Sequence, residues 1–183
     1  MIRTGILGGS FNPIHNGHIA LAQQLRQRAA LDEVWLMVTP QNPLKHPAEL
    51  LSDEARLEMA RRALEGIEGI KASDYEMRLP KPSYTWNTLQ ALKEDYPERE
   101  FVLLMGGDNW DIFDRWYRAD DIKRGYEIVV YTRSPGDDGY MDISSTEIRR
   151  RIREHRGISG MVPQGVEELI KKNGYYAEAT EYI

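Results

Sequence analysis

Short apolar runs that contain no polar residue are the feature that most restricts the fold of this chain. Val34–Val38 and Phe101–Met105 are two such runs; a proline-rich loop follows the first, and two glycines end the second. Because a strand without alternating polar residues is buried on both faces, these runs are typical of a parallel sheet covered by helices. The chain therefore predicts an α/β fold in which strands and helices alternate.

This alternation continues along the chain and gives the order of the elements. The predicted strands cover Ile2–Leu7, Glu33–Val38, Ile67–Ala72, Phe101–Met105 and Tyr126–Tyr131. Helices are expected from Asn16 or Gly17 to about Ala29, after Ser52, from Ser83–Thr85 to before Pro97, after Ser144, and from Pro163 to Asn173. We therefore expect one domain, residues 1–183, with a Rossmann-like, doubly wound parallel sheet and helices on both faces.

The charge of the chain argues against a nucleic-acid partner, because a formal net charge of −5 gives no overall basic field. Positive charge is concentrated in one cluster of arginines, Arg149, Arg150, Arg151, Arg153 and Arg156. No apolar run reaches the roughly 18 residues that a membrane span needs, and the N-terminal segment does not have the shape of a signal peptide. Cysteine is absent, which excludes disulfides and thiolate metal sites and fits a cytoplasmic protein.

Ligands of doubly wound folds bind outside the carboxyl ends of the strands, so the segments that follow the strands form the candidate site. Residues 8–18, 106–109 and 132–146 are rich in glycine or polar residues and fall at this edge. Since small residues let backbone N–H groups approach an anion, we expect a site for a phosphorylated small molecule.

The segment GGSFNPIHNGH, residues 8–18, connects the first strand to the first helix. His15 and His18 are three residues apart at the helix start, so both rings can face one point and donate to phosphoryl oxygens. Two other interpretations stay open: a tight turn with two solvated histidines, or a metal site that lacks a third ligand nearby in sequence. The segment matches neither the GxxxxGK[ST] pattern of P-loop proteins nor the GxGxxG dinucleotide pattern.

A second polar segment, ISSTEIR, begins at Ile143. Ser144 and Glu147 have the spacing of a helix capping box, which explains these two residues without a ligand. Two hydroxyls and a guanidinium one turn later exceed what a cap needs and favour a second phosphate-binding segment. These additional residues are Ser145, Thr146 and Arg149. We interpret the remaining arginines of the cluster as a solvated helix face.

Together the two segments resemble the signatures of a known superfamily. GGSFNPIHNGH is similar to the (H/T)xGH signature of nucleotidyltransferases, and ISSTEIR is similar to their ISSTxxR signature. Three further segments resemble the nicotinate-nucleotide adenylyltransferase family: SYTWNTL at 83–89, GGD at 106–108 followed by WY at 116–117, and NPLK at 42–45. The chain departs from the family at Asn12 and Asn87, where many members have aspartate, and at Leu44, where they have histidine.

The resemblance implies an enzyme that converts ATP and nicotinate mononucleotide into deamido-NAD and pyrophosphate, with Mg²⁺ accompanying ATP and no separate metal site in the protein. It implies catalytic contacts to the ATP phosphates by His15, His18 and Arg149. The other implied ATP contacts belong to Gly8, Gly9, Ser10, Phe11, Lys45, Ile143, Ser144, Ser145 and Thr146. The implied contacts to the nicotinate nucleotide belong to Thr85, Asp108, Trp116 and Tyr117.

Other functions stay open from the sequence. The acceptor could be nicotinamide mononucleotide or phosphopantetheine, or the chain could be a nucleotide-binding regulator without catalysis. Loss of either histidine or of Arg149 would favour a regulator, and all three residues are present.

Overall fold

Five parallel strands form the centre of the fold in the computed structural model, which describes residues 1–40, 49–132 and 143–177. In chain order the strands are β1 (Ile2–Gly9), β2 (Glu33–Val38), β3 (Ile70–Ser73), β4 (Arg99–Gly106) and β5 (Glu127–Tyr131). Across the sheet their order is β3-β2-β1-β4-β5. The predicted parallel sheet is therefore confirmed, and β1 and β4 extend further than the apolar runs that indicated them.

Helices connect and cover these strands. They are α1 (Asn16–Arg28), α2 (Asp53–Leu64), α3 (Thr85–Asp95), α4 (Gly107–Asp111), α5 (Ala119–Gly125), α6 (Ser145–Arg153) and α7 (Gln164–Asn173). The structure confirms the predicted caps, because the hydroxyls of Ser52 and Ser144 accept backbone N–H groups at the starts of α2 and α6. The sequence did not indicate α4 and α5, since helices of 5 and 7 residues are too short to show a periodic pattern.

Two apolar layers cover the two faces of the sheet. Because successive side chains of a strand point to opposite faces, the inner strands β1, β2 and β4 contribute to both layers. Ile6 of β1 lies in one layer with Leu89 of α3, and Leu7 lies in the other with Ile148 of α6. This double burial explains why the strands appear in the sequence as unbroken apolar runs.

The path of the chain opens a crevice at one edge of the sheet. β1 is central and pairs with β2 on one side and with β4 on the other. The chain leaves β1 toward β2 and β3, and it later crosses to β4 and β5 on the opposite side. At such a switch point the connections leave neighbouring strands in opposite directions, so the carboxyl ends of β1 and β4 border a crevice. The candidate segments 8–18 and 106–109 follow these two strands.

At the amino-terminal ends of the strands, a buried carboxylate joins three strands. Glu33 of β2 accepts hydrogen bonds from Thr4 Oγ1 of β1 at 2.9 Å and from Arg99 Nε of β4 at 2.7 Å. Burial alone would raise the pKa of Glu33, but the hydrogen bonds from Arg99 and Thr4 hold the pKa below its ordinary value. At the amino-terminal ends of the strands, the buried charge of Glu33 is therefore paired with that of Arg99.

Gly5 tests the packing of the central strand. It lies in β1 between Val34 and Val102, and an added Cβ would lie 2.7 Å from Leu31 Cδ1 and 2.9 Å from Leu104 Cδ1. We expect Gly5→Ala to lower the free energy of unfolding by about 1–3 kcal/mol, because overpacking displaces buried side chains from their rotamers. Urea unfolding followed by circular dichroism measures this change.

Gly125→Ala is the matched control. Within the described chain, a Cβ at Gly125 in α5 meets no atom within 4 Å, so this variant should keep or slightly gain stability from the better helix propensity of alanine. Equal unfolding free energies for the two variants would contradict the packing described for β1.

Candidate active site

The loop between β1 and α1 has a strained backbone that a buried ring holds in place. Phe11 has a φ of 47°, in the left-handed region that bulky residues rarely adopt. Its ring is buried, and an added Cβ on Gly9 would lie 3.2 Å from that ring. The absence of a side chain at Gly9 therefore leaves room for the ring of Phe11, and burial of the ring offsets the backbone strain.

His15 and His18 cap α1 with their ring nitrogens. His15 Nδ1 accepts the N–H of Gly17 at 3.0 Å, and His18 Nδ1 accepts the N–H of His15 at 3.1 Å. A ring nitrogen that accepts a hydrogen bond carries no proton, so each neutral imidazole has its proton on Nε2. The rings stack with centroids 3.7 Å apart, and His15 is buried, which excludes the interpretation of two solvated histidines. The cap thus fixes the tautomer of two neighbouring Nε2–H donors.

Asn12 ties the same loop to two other parts of the chain. It is buried, and its Nδ2 donates to the carbonyl of Glu49 at 2.9 Å. Its Oδ1 accepts from the Tyr176 hydroxyl at 2.6 Å and from the N–H of Leu51 at 3.3 Å. Since aspartate has no donor for the carbonyl of Glu49, the departure from the family's usual residue matches these contacts. Burial raises the pKa of Tyr176, so its hydroxyl keeps the proton that it donates.

The start of α6 contacts this loop directly. Ser145 Oγ donates to the carbonyl of Pro13 at 2.9 Å, and Arg149 Nη1 donates to the carbonyl of Asn12 at 2.8 Å. Arg149 Nη2 also lies 3.3 Å from the hydroxyl of Thr146. The two polar segments singled out from the sequence are therefore one site in space, although most of the chain separates them.

Glu49 places a carboxylate against this site. One of its oxygens lies 3.4 Å from Arg149 Nε, and the other pairs with Arg153. Arg153 therefore does not belong to the solvated face expected from the sequence. Arg150 and Arg151 do lie on that face, where both pair with Glu147. The guanidinium of Arg149 thus already faces an anionic group in the absence of a phosphate.

A cavity of about 220 Å³ lies in the crevice between β1 and β4. Thr85 and Trp116, which the resemblance assigns to the nicotinate nucleotide, line it, and so do Gly8 and Gly9. Thr85 is the first residue of α3, where backbone N–H groups have no acceptor within the helix. The remaining walls are about equally apolar and polar: Ile6, Met37, Leu103 and Met105 belong to the apolar part, and Thr39, Ser83 and Thr88 belong to the polar part. The cavity therefore suits an apolar ring whose polar substituents meet a helix N-terminus.

Two residues that the resemblance assigns to the nicotinate nucleotide are not among the residues that line the cavity. Asp108 is exposed in the first turn of α4, and its neighbour Asn109, which the sequence analysis missed, lines the cavity. Tyr117 is exposed, and its ring lies 4.9 Å from the ring of Tyr84. Asn87, the other departure from the family pattern, is also exposed.

Glu76 is a buried carboxyl group that the sequence analysis missed. It lies in a 3-10 turn (Tyr75–Arg78) after β3, lines the cavity and accepts a hydrogen bond from Thr88 Oγ1 at 2.8 Å. Burial raises the pKa of Glu76, and the hydrogen bond from Thr88 offsets only part of this effect. Unlike Glu33, it has no cationic partner among the described residues. Such a carboxyl group in a cavity wall is typical of a ligand site.

Arg56 is a third missed residue, and its side chain is completely buried in α2. The sequence carried a signal for it, because Arg56 is one helical turn from Ala60 and two from Leu64 on the apolar stripe of α2. A charge on an apolar stripe requires a buried partner. The structure supplies backbone carbonyls as partners, including that of Ser10 in the loop after β1.

The expected lysine contact to ATP and the possible metal site are the remaining points from the sequence. Lys45 and the rest of the NPLK segment lie outside the described residues. Within the described ranges no group of three or more histidine or acidic side chains is placed to hold a metal ion, so the pair His15 and His18 gains no third ligand there. In the same ranges, no helix combines the length and the apolar character that crossing a membrane requires.

Comparisons with known proteins give the family and the fold of this chain. Residues 6–151 match the model of the cytidylyltransferase-like family. A Bacteroides fragilis protein named "probable nicotinate-nucleotide adenylyltransferase" is 48% identical over 165 residues, which cover 82% of each chain. A Bacteroides thetaiotaomicron protein of the same name is 42% identical over 93% of this chain and 92% of its own. The solved structure of Plasmodium falciparum nicotinic acid mononucleotide adenylyltransferase complexed with NaAD shares the fold, with a TM-score of 0.75 and 17% identity over 99% of this chain and 100% of that one.

Glu76→Gln tests the burial of the cavity carboxyl group. Because the pKa of Glu76 is raised in the folded protein, the native state favours the protonated form, and this contribution to stability is lost as the pH rises through the folded pKa. Glutamine keeps an acceptor for Thr88 without the charge, so we expect Glu76→Gln to raise the melting temperature at pH 7.5. The gain should shrink as the pH falls. Calorimetric scans over a pH series measure it.

Glu33→Gln is the matched control with the opposite sign. The pKa of Glu33 is lowered, so its contribution to stability is present above the unfolded pKa and is lost as the pH falls through the folded pKa. Glu33→Gln should therefore lower the melting temperature at pH 7.5, because Arg99 loses the buried one of its two carboxylate acceptors and keeps only Glu98. The same sign for both variants at pH 7.5 would contradict the different environments of the two carboxyl groups.

Proposed function

Because the chain belongs to the nicotinate-nucleotide adenylyltransferase family of the cytidylyltransferase-like proteins, we propose that it transfers the adenylyl group of ATP to nicotinate mononucleotide. The products are deamido-NAD and pyrophosphate. The observation that carries this proposal is the direct contact between the loop before α1 and the start of α6, made by Ser145 and Arg149. A triphosphate needs donors along its whole length, and two adjoining helix N-termini supply them.

We assign the ATP phosphates to these two helix starts. The Nε2–H groups of His15 and His18 donate to phosphoryl oxygens, together with backbone amides of the loop after β1. The guanidinium of Arg149 takes the β- and γ-phosphates in place of the carboxylate of Glu49 that faces it in the structure. The further residues of the proposed ATP site are Gly8, Gly9, Ser10, Phe11, Lys45, Ile143, Ser144, Ser145 and Thr146.

We assign the acceptor to the cavity between β1 and β4. The nicotinate ring stacks on Trp116, and its carboxylate meets the N–H groups of Thr85 and Tyr117, where the N-terminus of α3 favours negative charge. The pyridinium ring is cationic, and Glu76 is the only charged side chain among the described residues that line the cavity. This combination favours a pyridine nucleotide over phosphopantetheine, which has no cationic ring. Asp108 contacts the ribose or the nucleotide from α4.

The reaction needs alignment rather than a protein nucleophile. A phosphate oxygen of nicotinate mononucleotide attacks the α-phosphorus of ATP in line, and the bond from that phosphorus to the bridging oxygen breaks as pyrophosphate leaves. His15, His18 and Arg149 hold the anions and stabilise the charge that develops on the transferred group. Mg²⁺ enters as part of the ATP substrate, held by phosphates and water, and neutralises part of that charge.

The acceptor specificity tests the proposal most directly. With ATP and Mg²⁺, we expect pyrophosphate release with nicotinate mononucleotide at a kcat/KM about 5- to 150-fold above that with nicotinamide mononucleotide. The reason is that the carboxamide turns an NH₂ group toward an N–H donor that the bound ring shields from water, which costs about 1–3 kcal/mol. Phosphopantetheine serves as the unrelated acceptor and should give no turnover. A preference for the amide would defeat the choice of acceptor, and no turnover with any acceptor would defeat the enzymatic function.

His18 allows the capping role and the catalytic role to be separated. In His18→Asn the Oδ1 atom replaces Nδ1 as acceptor for the N–H of His15, whereas the Nε2–H donor is lost. We expect a stability close to that of wild type and a turnover about 100- to 1,000-fold lower, as for other lost donors to a transition state. Steady-state kinetics and thermal unfolding of the same preparation measure both quantities.

His18→Ala is the matched variant, because it removes the cap and the donor together. It should lose turnover to the same extent and also about 0.5–2 kcal/mol of stability. If His18→Asn kept more than about a third of wild-type turnover, the Nε2–H of His18 would have no catalytic role.

A further inference from the structure

The side chain of Arg56 carries a positive charge although it is fully buried. Its exposed fraction is 0%, although arginine is almost never fully buried unless it is paired. Burial lowers the pKa of Arg56, while the carboxylate of Asp53, 2.6 Å from Nη2, favours the charged form. Because burying a charge is costly, the contacts of the remaining guanidinium N–H groups are informative.

Those N–H groups join three segments of the backbone at the carboxyl edge of the sheet. Nη1 donates to the carbonyls of Ser10 and Thr39, both at 2.8 Å, and Nε donates to the carbonyl of Leu51 at 2.9 Å. Ser10 begins the loop after β1, Thr39 follows β2, and Leu51 precedes α2. One side chain therefore fixes the ends of two neighbouring strands and the start of a helix relative to one another.

The bond to Ser10 also determines the direction of one peptide group of the loop. The Ser10–Phe11 peptide is trans, and in a trans peptide the carbonyl and the N–H point in opposite directions. Since the carbonyl of Ser10 is turned inward to Arg56, the N–H of Phe11 is turned away from it. The buried ring and the φ of 47° at Phe11 hold the same peptide from its other end.

We propose that Arg56 is a positioning residue of the ATP site, which acts through the carbonyl of Ser10 to aim the N–H of Phe11 at the ATP phosphates. It touches no substrate itself. The proposal deepens the proposed function and rests on it, because it takes the loop after β1 as the phosphate-binding segment. Without the guanidinium the peptide can rotate, and an N–H donor to a charged group is lost from the site.

A general structural role of Arg56 makes a different prediction about ligands. If Arg56 aims a phosphate donor, its loss weakens binding of ATP but leaves binding of adenosine, which has no phosphates, unchanged. If Arg56 only stabilises the fold around the site, its loss weakens both ligands together. The comparison of ATP with adenosine therefore separates the two roles.

The test compares Arg56→Ala with wild type in three measurements. Titration calorimetry gives the affinity for ATP with Mg²⁺, competition of adenosine against ATP gives the affinity for adenosine, and steady-state kinetics give the turnover. We expect ATP affinity to fall by about tenfold or more, the effect of one hydrogen bond to a charged group, and adenosine affinity to stay within about twofold. Turnover should fall by about 100-fold, because small displacements of a binding group have effects of this size. The KM for the acceptor should change less than the affinity for ATP, since Arg56 does not itself line the acceptor cavity and reaches it only through the carbonyl of Thr39.

Free guanidinium provides a rescue that a loss of folding would not show. Arg56→Ala leaves a space under the loop, and guanidinium chloride at millimolar concentration, far below denaturing levels, should enter it and restore part of the ATP affinity and turnover. Arg56→Met fills the same space without donors and should show the loss without rescue. Arg61→Ala is the control on the same helix, because Arg61 is exposed and its ion pair with Asp74 spans 3.5 Å at the surface.

Several results would overturn the proposal. They are an ATP affinity of Arg56→Ala within about twofold of wild type, equal losses of ATP and adenosine affinity, or equal responses of the alanine and methionine variants to guanidinium. If Arg56→Ala does not fold, Arg56→Lys replaces it, because lysine keeps the charge beside Asp53 but lacks the planar fork. An unchanged ATP affinity in Arg56→Lys would then overturn the proposal. If wild type binds ATP but uses no acceptor, the proposed function fails, while the comparison of ATP with adenosine still decides the role of Arg56.

Discussion

Burial of the sheet on both faces is the constraint on which the rest of the structure depends. Side chains of the central strands enter two apolar layers, and their backbone groups are used in the parallel ladders. Leu36, Val38 and Val102, for example, have no exposed surface. A polar group inside such a layer would lack partners, so polar chemistry is restricted to the ends of the strands. The topology then opens only the carboxyl ends of β1 and β4 into a crevice that a ligand can enter.

Two buried glutamates, one at each end of the strands, have pKa values shifted in opposite directions. Glu33, at the amino-terminal edge, is fastened by Arg99 and Thr4, and these bonds lower its pKa. Glu76, at the carboxyl ends of the strands, accepts from a hydroxyl and has no cationic partner in the described part of the chain, and its pKa is raised. At the amino-terminal ends no ligand has to enter, so the charge of Glu33 can be paired within the protein. An edge that binds a ligand leaves a charge for the ligand to meet, at a cost in stability.

The loop after β1, the segment proposed to bind the ATP phosphates, is positioned by contacts from several directions. His15 and His18 attach it to α1 by capping, and Asn12 attaches it to Glu49 and Tyr176. The capping bonds use Nδ1 of both rings, so the protein obtains a helix start and two oriented donors from the same side chains. Serine or aspartate could cap the helix at position 15 and glutamate could complete the capping box at position 18, but these residues offer no Nε2–H donor.

The sequence by itself determined the parallel sheet, the helix caps at Ser52 and Ser144, and the two segments that meet at the crevice. Each of these depends on local patterns: unbroken apolar runs, a hydroxyl before a helix, and glycine and histidine after a strand. The positions of Asp108 and Tyr117 beside the cavity lining, and the partner of Arg153, were decided by short helices and a distant glutamate that no periodic pattern indicates. Arg56 and Glu76 show the limit most clearly. In the sequence one is a charge within an amphipathic helix and the other is an acid in a short turn. Only the tertiary structure buries them beside the loop and the cavity, because burial and hydrogen-bond partners arise from segments that are far apart in the chain.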